Sequence, residues 1–311
     1  MPTALVTGVA GFIGSNLADT LLNRGYDVHG VDNFATGREQ NLESLRDADR
    51  FSFEEADIRN ADAMASATKD VDYVFHQAAV PSVPRSVDDP VTTTDANCTG
   101  TATVIDAARN ADVDSVVVAS SSSIYGTTEQ LPKVESMTEQ PESPYALSKY
   151  YTEKLTLQAS ELYDIDTAAL RYFNIFGPKQ DPGGDYAAVI PKFISLMLDG
   201  DQPVIYGDGD QSRDFTFIDN AVQANILAAE SDVSGEAFNV GCGGRVTVNE
   251  LVDTLNDLLA TDINPVYDDP RPGDIRHSHA DISKAEGILG YDPTVDFKTG
   301  LEQTISYYRS R

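Results

Sequence analysis

Short apolar runs alternate with longer amphipathic stretches through the first half of the chain. Ala4-Leu5-Val6 predicts a strand, and a helix follows from about Phe12 to Arg24. Val28–Val31, Phe51–Glu55, Val71–Phe75, Val116–Ala119 and Thr167–Leu170 predict further strands. Helices fit Pro90–Arg109 and Tyr145–Tyr163. Strands separated by helix-length periodic segments build βαβ units and a parallel sheet, with right-handed crossovers. The expected class is therefore α/β, a doubly wound parallel sheet. After about residue 173 the rhythm breaks. Gly and Pro become dense at Gly177-Pro178, Pro182-Gly183-Gly184 and Pro270–Gly273. The expected layout is one domain over 1–172 and a smaller domain formed by 173–213 and 241–311. A segment at about 214–240 returns to the first domain, because Arg213–Ala229 again reads as strand plus helix.

Charge narrows the function classes. The 311 residues carry 50 acidic and 22 basic side chains, a net charge of −28. No two Lys or Arg are adjacent, so the basic patch of a nucleic-acid reader is missing. The same field repels an anionic membrane surface. The acid is dispersed in short stretches such as Asp47-Ala48-Asp49 and Asp199-Gly200-Asp201, not gathered into a disordered tail. Dispersed acid with few lysines is similar to proteins of salt-loving organisms, where dense salt screens the self-repulsion. Two cysteines, Cys98 and Cys242, make no disulfide framework. Residues 1–7 read as a strand running straight into Gly8, not as a targeting segment, and no long apolar run suggests a membrane span. The cytoplasm is the expected location.

Gly8-Val9-Ala10-Gly11-Phe12-Ile13-Gly14 follows the first strand and opens the first helix. Glycines there permit a tight turn and a close approach to a pyrophosphate, which the helix N-terminus meets with free N–H groups and its positive end. Asp32 ends the second strand. A carboxylate at that point accepts from an adenosine ribose and repels a 2′-phosphate, which favours NAD over NADP; Arg38 nearby keeps a 2′-phosphate partner in reach. Asp57-Ile58 follows the third strand, where an adenine lies, and His76-Gln77-Ala78-Ala79 closes the fourth with small residues.

The candidate chemistry lies further along. Tyr145-Ala146-Leu147-Ser148-Lys149 falls on a predicted helix, so Tyr145 and Lys149 share one face. An ammonium near a phenol favours phenolate, a base usable near neutral pH. Ser120-Ser121-Ser122-Ser123-Ile124-Tyr125-Gly126 directly follows the fifth strand, at the carboxyl end of the sheet where ligands of open α/β folds bind; ST-turns are the plain alternative for such a run. His277 and His279 lack a nearby third ligand, and neither cysteine has a Cys/His set, so no metal site is expected.

Taken together, Gly8–Gly14, the serine run and Tyr145/Lys149 resemble the extended short-chain dehydrogenase/reductase family, over nearly the whole chain. His76–Ser86, Leu170–Pro178, Gln211–Phe215 and Arg271–Asp274 narrow the resemblance to nucleotide-sugar 4-epimerases, and most to the UDP-glucose and UDP-N-acetylglucosamine group. The resemblance implies a Rossmann-like NAD-binding domain, a smaller UDP-sugar-binding domain and a homodimer formed through two helices per subunit, one of them the Tyr145 helix. It implies Tyr145 as base, Ser121 as the catalytic hydroxyl, and Lys149 holding the nicotinamide ribose. NAD contacts are implied at Gly8, Gly11, Phe12, Ile13 and Gly14 in the turn. Others are implied at Asp32, Asn33, Gly37, Asp57 and Ile58, and at Gln77, Ala78, Ala79, Asn97 and Tyr172. Substrate contacts are implied at Ser82, Ser122, Ser123, Asn174, Ala188, Val189, Lys192, Tyr206 and Asp274. Arg213 and Arg271 are implied to neutralise the diphosphate. Ser278 matches a position that is a bulky Tyr in epimerases confined to unacetylated sugars, so its small side chain implies room for an N-acetyl group. The implied reaction oxidises the sugar at C4, turns the ketone about its anchored diphosphate, and reduces the other face. A 4,6-dehydratase wants Asp-Glu where Ser122 and Ser123 stand. Arg85 keeps a UDP-glucuronate epimerase or decarboxylase open. Non-catalytic NAD-sensing regulators of this fold usually lose the Tyr/Lys pair.

Overall fold

A computed structural model describes residues 1–183, 187–270 and 275–310. Six strands of the first half, β1 (Thr3–Thr7), β2 (Asp27–Asp32), β3 (Phe51–Glu55), β4 (Tyr73–His76), β5 (Ser115–Ser121) and β6 (Asp166–Tyr172), form one sheet. A seventh strand, Glu236–Val240, pairs with β6. Across the sheet the order is seventh-β6-β5-β4-β1-β2-β3, and every pairing is parallel. The winding reverses between β1 and β4, where Thr7 pairs with His76. This Rossmann-like topology opens a crevice beyond the carboxyl ends of those two strands. The central strands are apolar on both faces, as Val116-Val117-Val118 and Ala168-Ala169-Leu170 require, because helices cover both sides.

Two predicted elements differ. The fourth strand starts at Tyr73, two residues past Val71, and extends to His76. The helix expected over Pro90–Arg109 is three pieces: Pro90–Thr94, a π-helical turn Asp95–Thr99, and Gly100–Asn110. The widened turn coincides with Asn97, whose amide is buried against the backbone of Val80 and the side chain of Ser148. Such π-turns often mark functional positions, and periodicity over apolar residues carries no sign of them.

Beyond residue 173 the strands are short. Ile175–Phe176 pairs with Thr216–Phe217, Ser212–Arg213 with Val246–Thr247, and Val204–Tyr206 with Val266–Asp268. Helices Val189–Leu198, Ile218–Ala229, Val248–Leu259, Ser283–Leu289 and Phe297–Arg309 pack around them. One apolar core joins Val6, Val117 and Leu170 of the sheet to Phe176, Ile194, Leu251 and Leu301. Its aromatic centre is Phe176, 5.6 Å from Phe217 and 5.8 Å from Phe297, with Phe215 stacked on Phe297 at 5.6 Å. Among the described residues no helix is long and apolar enough to cross a membrane.

Candidate active site

The glycine turn is determined by sterics. Gly8 has φ +71°, and a Cβ there would stand 2.7 Å from the Ala78 backbone. A Cβ on Gly14 would stand 2.2 Å from the Gly8 carbonyl oxygen, and one on Gly11 3.0 Å from it. Gly11 starts the helix Phe12–Asn23 without a side-chain cap, which leaves the first-turn N–H groups of Phe12, Ile13 and Gly14 for an anion. Asp32 is buried at the end of β2. Its carboxylate accepts from Ala10 N–H at 2.9 Å and Phe34 N–H at 2.7 Å, so it braces the turn as well as facing the crevice. Burial raises its pKa, against the pull of those amides. A Cβ on Gly37 would meet the Asp32 oxygens at 2.8 Å.

Gly8, Gly11 and Asp32 line a single cavity with Asn33, Asp57, Ile58, Gln77, Ala78 and Ala79, and Phe12, Ile13, Gly14 and Gly37 are not in its lining. Asn33 donates to Asp57 at 3.0 Å. Arg59, which no sequence motif singled out, also lines the cavity and pairs with Asp57 at 2.6 Å; it holds the Asp57 carboxyl down to about 2. Arg38 is turned to Asp181 in an ion pair. Gln77, Tyr172 and Asn225 form a closed triad: Tyr172 donates to Gln77 at 3.0 Å, Gln77 to Asn225 at 2.9 Å, and Asn225 to Tyr172 at 2.7 Å.

The helix Pro144–Leu162 brings the second group of residues to the same edge of the sheet. Ser143 caps it, Pro144 sets its first turn, and Ser86 accepts from the Tyr145 N–H at 3.0 Å. The Tyr145 phenol lies beside the Ser121 side chain at the end of β5, close enough for that hydroxyl to act on its pKa. Lys149, one turn deeper and buried, donates to the Ala119 carbonyl at 2.9 Å. Desolvation lowers its pKa to about 8. Burial raises Tyr145, and the group that pulls it down is Ser121, with the Lys149 ammonium directed at the strand backbone. Behind Lys149, His76 is enclosed between Thr7 at 2.7 Å and Thr101 at 3.0 Å. Burial and the nearby Lys149 charge depress it to about 3, so it stays neutral.

Ser122 and Ser123 begin the turn after β5. The Ser123 hydroxyl is a buried oxygen without a hydrogen-bond partner, the condition of a group built to meet something that binds. Ser82 has φ 92° and caps a short helix by accepting from Arg85 N–H at 3.4 Å. Asn174 has φ 37°, and its carbonyl accepts from Thr216 N–H at 3.2 Å. Ala188, Val189 and Lys192 open the helix Val189–Leu198. Arg213 and Ser278 come together around Ser212: Arg213 donates to the Ser212 carbonyl at 3.0 Å, and so does the Ser278 N–H at 3.0 Å. Tyr206 lines a separate hollow with Gln211 and Arg276. Arg271 and Asp274 lie outside the described residues.

This glycine turn and Tyr/Lys helix flank one crevice, and the NAD dependent epimerase/dehydratase family matches the chain over residues 4–241. The chain belongs to that family. This epimerase/dehydratase is 39% identical to the UDP-glucose 4-epimerase of Mycolicibacterium smegmatis over 309 residues, 99% of this chain and 98% of that one. Its structure is similar to the UDP-N-acetylglucosamine 4-epimerase of Methanobrevibacter ruminantium in complex with UDP-N-acetylmuramic acid, with a TM-score of 0.95, 41% identity, and 99% and 98% of the two chains covered. It is also similar to the Bacillus cereus UDP-glucuronic acid 4-epimerase in complex with UDP-glucuronic acid and NAD, with a TM-score of 0.92, 33% identity, and 99% of each chain covered. The protein is thus an enzyme of the UDP-sugar epimerase group, and its cofactor is NAD. The chain's own geometry fits that cofactor. The cradle that any Cβ would fill lies at the helix N-terminus, and the Asp32 carboxylate lines the adjoining cavity.

Proposed function

We propose that this epimerase/dehydratase inverts C4 of a UDP-hexose, in the glucose/galactose or the N-acetylglucosamine/N-acetylgalactosamine series. The carrying observation is the Tyr145 phenol beside Ser121 at the sheet edge that also carries the glycine cradle, with Lys149 on the same helix face. NAD, when bound, would supply the hydride chemistry at C4. The chain's residues do the rest. The Tyr145 oxygen takes the proton of the sugar 4-OH, and Ser121 holds that same oxygen of the sugar. Lys149 and Asn97 fix the helix against β5 and β4. Gly8, Gly11, Phe12, Ile13, Gly14, Asp32, Asn33, Gly37, Asp57, Ile58, Gln77, Ala78, Ala79 and Tyr172 hold the dinucleotide. Arg213 and Arg271 anchor the diphosphate with planar guanidinium forks. Asn174, Ala188, Val189, Lys192 and Tyr206 serve the uridine end. Binding through that end leaves the hexose free to turn, so remote binding serves the reaction.

The small Ser278 supports an acetylated sugar, as does the likeness to the Methanobrevibacter enzyme. A UDP-glucuronate 4-epimerase is the second reading, favoured by Arg85 and by the Bacillus cereus relative. A homodimer is supported by the exposed Val87, Val91, Leu147 and Tyr151, an apolar set on the Val83–Asp88, Pro90–Thr94 and Pro144–Leu162 helices. The −28 charge supports a cytoplasm of high salt; a thermal midpoint that rises with molar salt is the expected outcome, and full stability in salt-free buffer counts against it. Purified protein, offered UDP-glucose, UDP-N-acetylglucosamine and UDP-glucuronate without added NAD, is expected to give a C4-inverted product from one of the first two. Tyr145→Phe is expected to cost about 10²- to 10⁴-fold in turnover, and full turnover in that variant overturns the assignment.

A further inference from the structure

Beneath the serine run lies a buried ionic cluster that the reaction as proposed leaves unused. Glu153 is fully buried and Arg171 is 2% exposed. The pair is bidentate: Arg171 donates from Nε to one Glu153 oxygen at 2.9 Å and from Nη2 to the other at 2.7 Å. Each partner also reaches one end of the serine run. Ser120 donates to Glu153 at 2.8 Å. At the far end, Arg171 donates to the Tyr125 hydroxyl at 2.7 Å, and Tyr125 donates onward to Asn239 at 2.7 Å. Ser121, Ser122 and Ser123 are strung between these two anchors.

The sequence spacing makes this more than a local clamp. Tyr145, Lys149 and Glu153 occupy one face of the Pro144–Leu162 helix on successive turns. Lys149 is tied to Ala119 and Glu153 to Ser120, adjacent residues of β5. Arg171 stands directly across from Ser120 in the sheet, and Tyr172 across from Ser121. Two ties therefore fix how far the helix slides and turns along β5, and Tyr145 sits one turn above the first. Buried ion pairs are often no more stabilising than apolar residues of the same size, so stability alone is a weak reason for this one.

We propose that Glu153 and Arg171 are positioning residues, which set the Ser121 hydroxyl against the Tyr145 phenol by anchoring Ser120 and Tyr125. The proposal rests on the catalytic reading of Tyr145 and Ser121 given above.

Ser120→Ala is the cleanest variant, because it removes the tie and leaves the Glu153–Arg171 pair intact. Its kcat is expected to fall about ten- to hundredfold, the scale of a sub-ångström to one-ångström misplacement. The KM for the UDP-sugar and the bound NAD should stay at wild-type values, and the unfolding midpoint should fall no further than one lost hydrogen bond accounts for. The rise of kcat with pH should move to higher pH, since the phenol loses the neighbour that pulls it down. Ser120→Thr, which keeps the hydroxyl, should restore both kcat and the profile. A Ser120→Ala enzyme with wild-type kcat and pH profile overturns the proposal, provided Tyr145→Phe is inactive in the same assay. A loss of kcat that follows a lowered unfolding midpoint, with the profile unmoved, also overturns it. An active Tyr145→Phe enzyme overturns the catalytic reading itself, and the positioning proposal with it.

Discussion

The two banks of the crevice are held in shape by opposite means. On the β1–β2 bank, shape comes from what is missing: glycines at 8, 11 and 14 let backbone touch backbone, and a Cβ at Gly14 would stand 2.2 Å from an oxygen. On the β5–β6 bank, shape comes from what is added. Ser120, Glu153, Arg171, Tyr125 and Asn239 form a continuous buried polar chain. The three glycines of the first bank have no rotamer to change, and the one side chain that braces their turn, Asp32, is buried. The second depends on each partner finding the next, so damage at one member reaches the others.

The sharpest way to break the comparison is to unpair the charges. Glu153→Leu removes the bidentate partner of buried Arg171, leaves it the Glu139 carboxylate at 2.9 Å, and is expected to cost about 3 kcal/mol in chemical denaturation. Glu153→Leu/Arg171→Met should recover much of that stability while kcat stays low; a double variant no more stable than the single one would mean that the bank is ordinary packing. On the glycine bank, Gly14→Ala is expected to cost about 1–3 kcal/mol through overpacking. The purified variant should also carry little NAD by absorbance. A smaller effect comes from His76, which joins the banks through Thr7 and Thr101. Its pKa is about 3 in the fold, against 6.5 for a free imidazole. The unfolded chain therefore binds the extra proton between those values, and stability falls as pH drops from about 6.5 towards 3. His76→Gln should flatten that acid limb in pH-dependent unfolding; an unchanged limb would assign it to carboxylates alone.

Legibility in the sequence follows the same division. The glycine turn was readable because its requirement is local: strand, three glycines and helix succeed one another within a few residues. The parallel sheet was readable from Val116-Val117-Val118 and its counterparts for the same reason. Tyr145 and Lys149 were readable as a helical pair, and Ser121 by its place after β5. Arg59, Glu153 and Asn225 were not. The partners of Glu153 and Asn225 are distant in the chain, Asn225 standing 148 residues from Gln77, and no spacing rule links such pairs; Arg59 pairs with nearby Asp57, but no motif distinguishes that pair from an ordinary surface one. Glu153 did leave one trace, four residues beyond Lys149 on the Tyr145 face. Asn97 was legible as a residue but not as the reason for a π-turn, because helical periodicity averages over a single widened turn.

The aromatic knot of Phe176, Phe215, Phe217 and Phe297 belongs to the same core as the strands of the sheet. A recombinant that exchanges residues 173–311 for those of a relative would thus set a foreign knot against Val6, Val117 and Leu170 of the sheet before any question of specificity arose. On the reading proposed for Ser278 and the serine run, side-chain changes there are the way to alter sugar preference that leaves the contact between knot and sheet untouched.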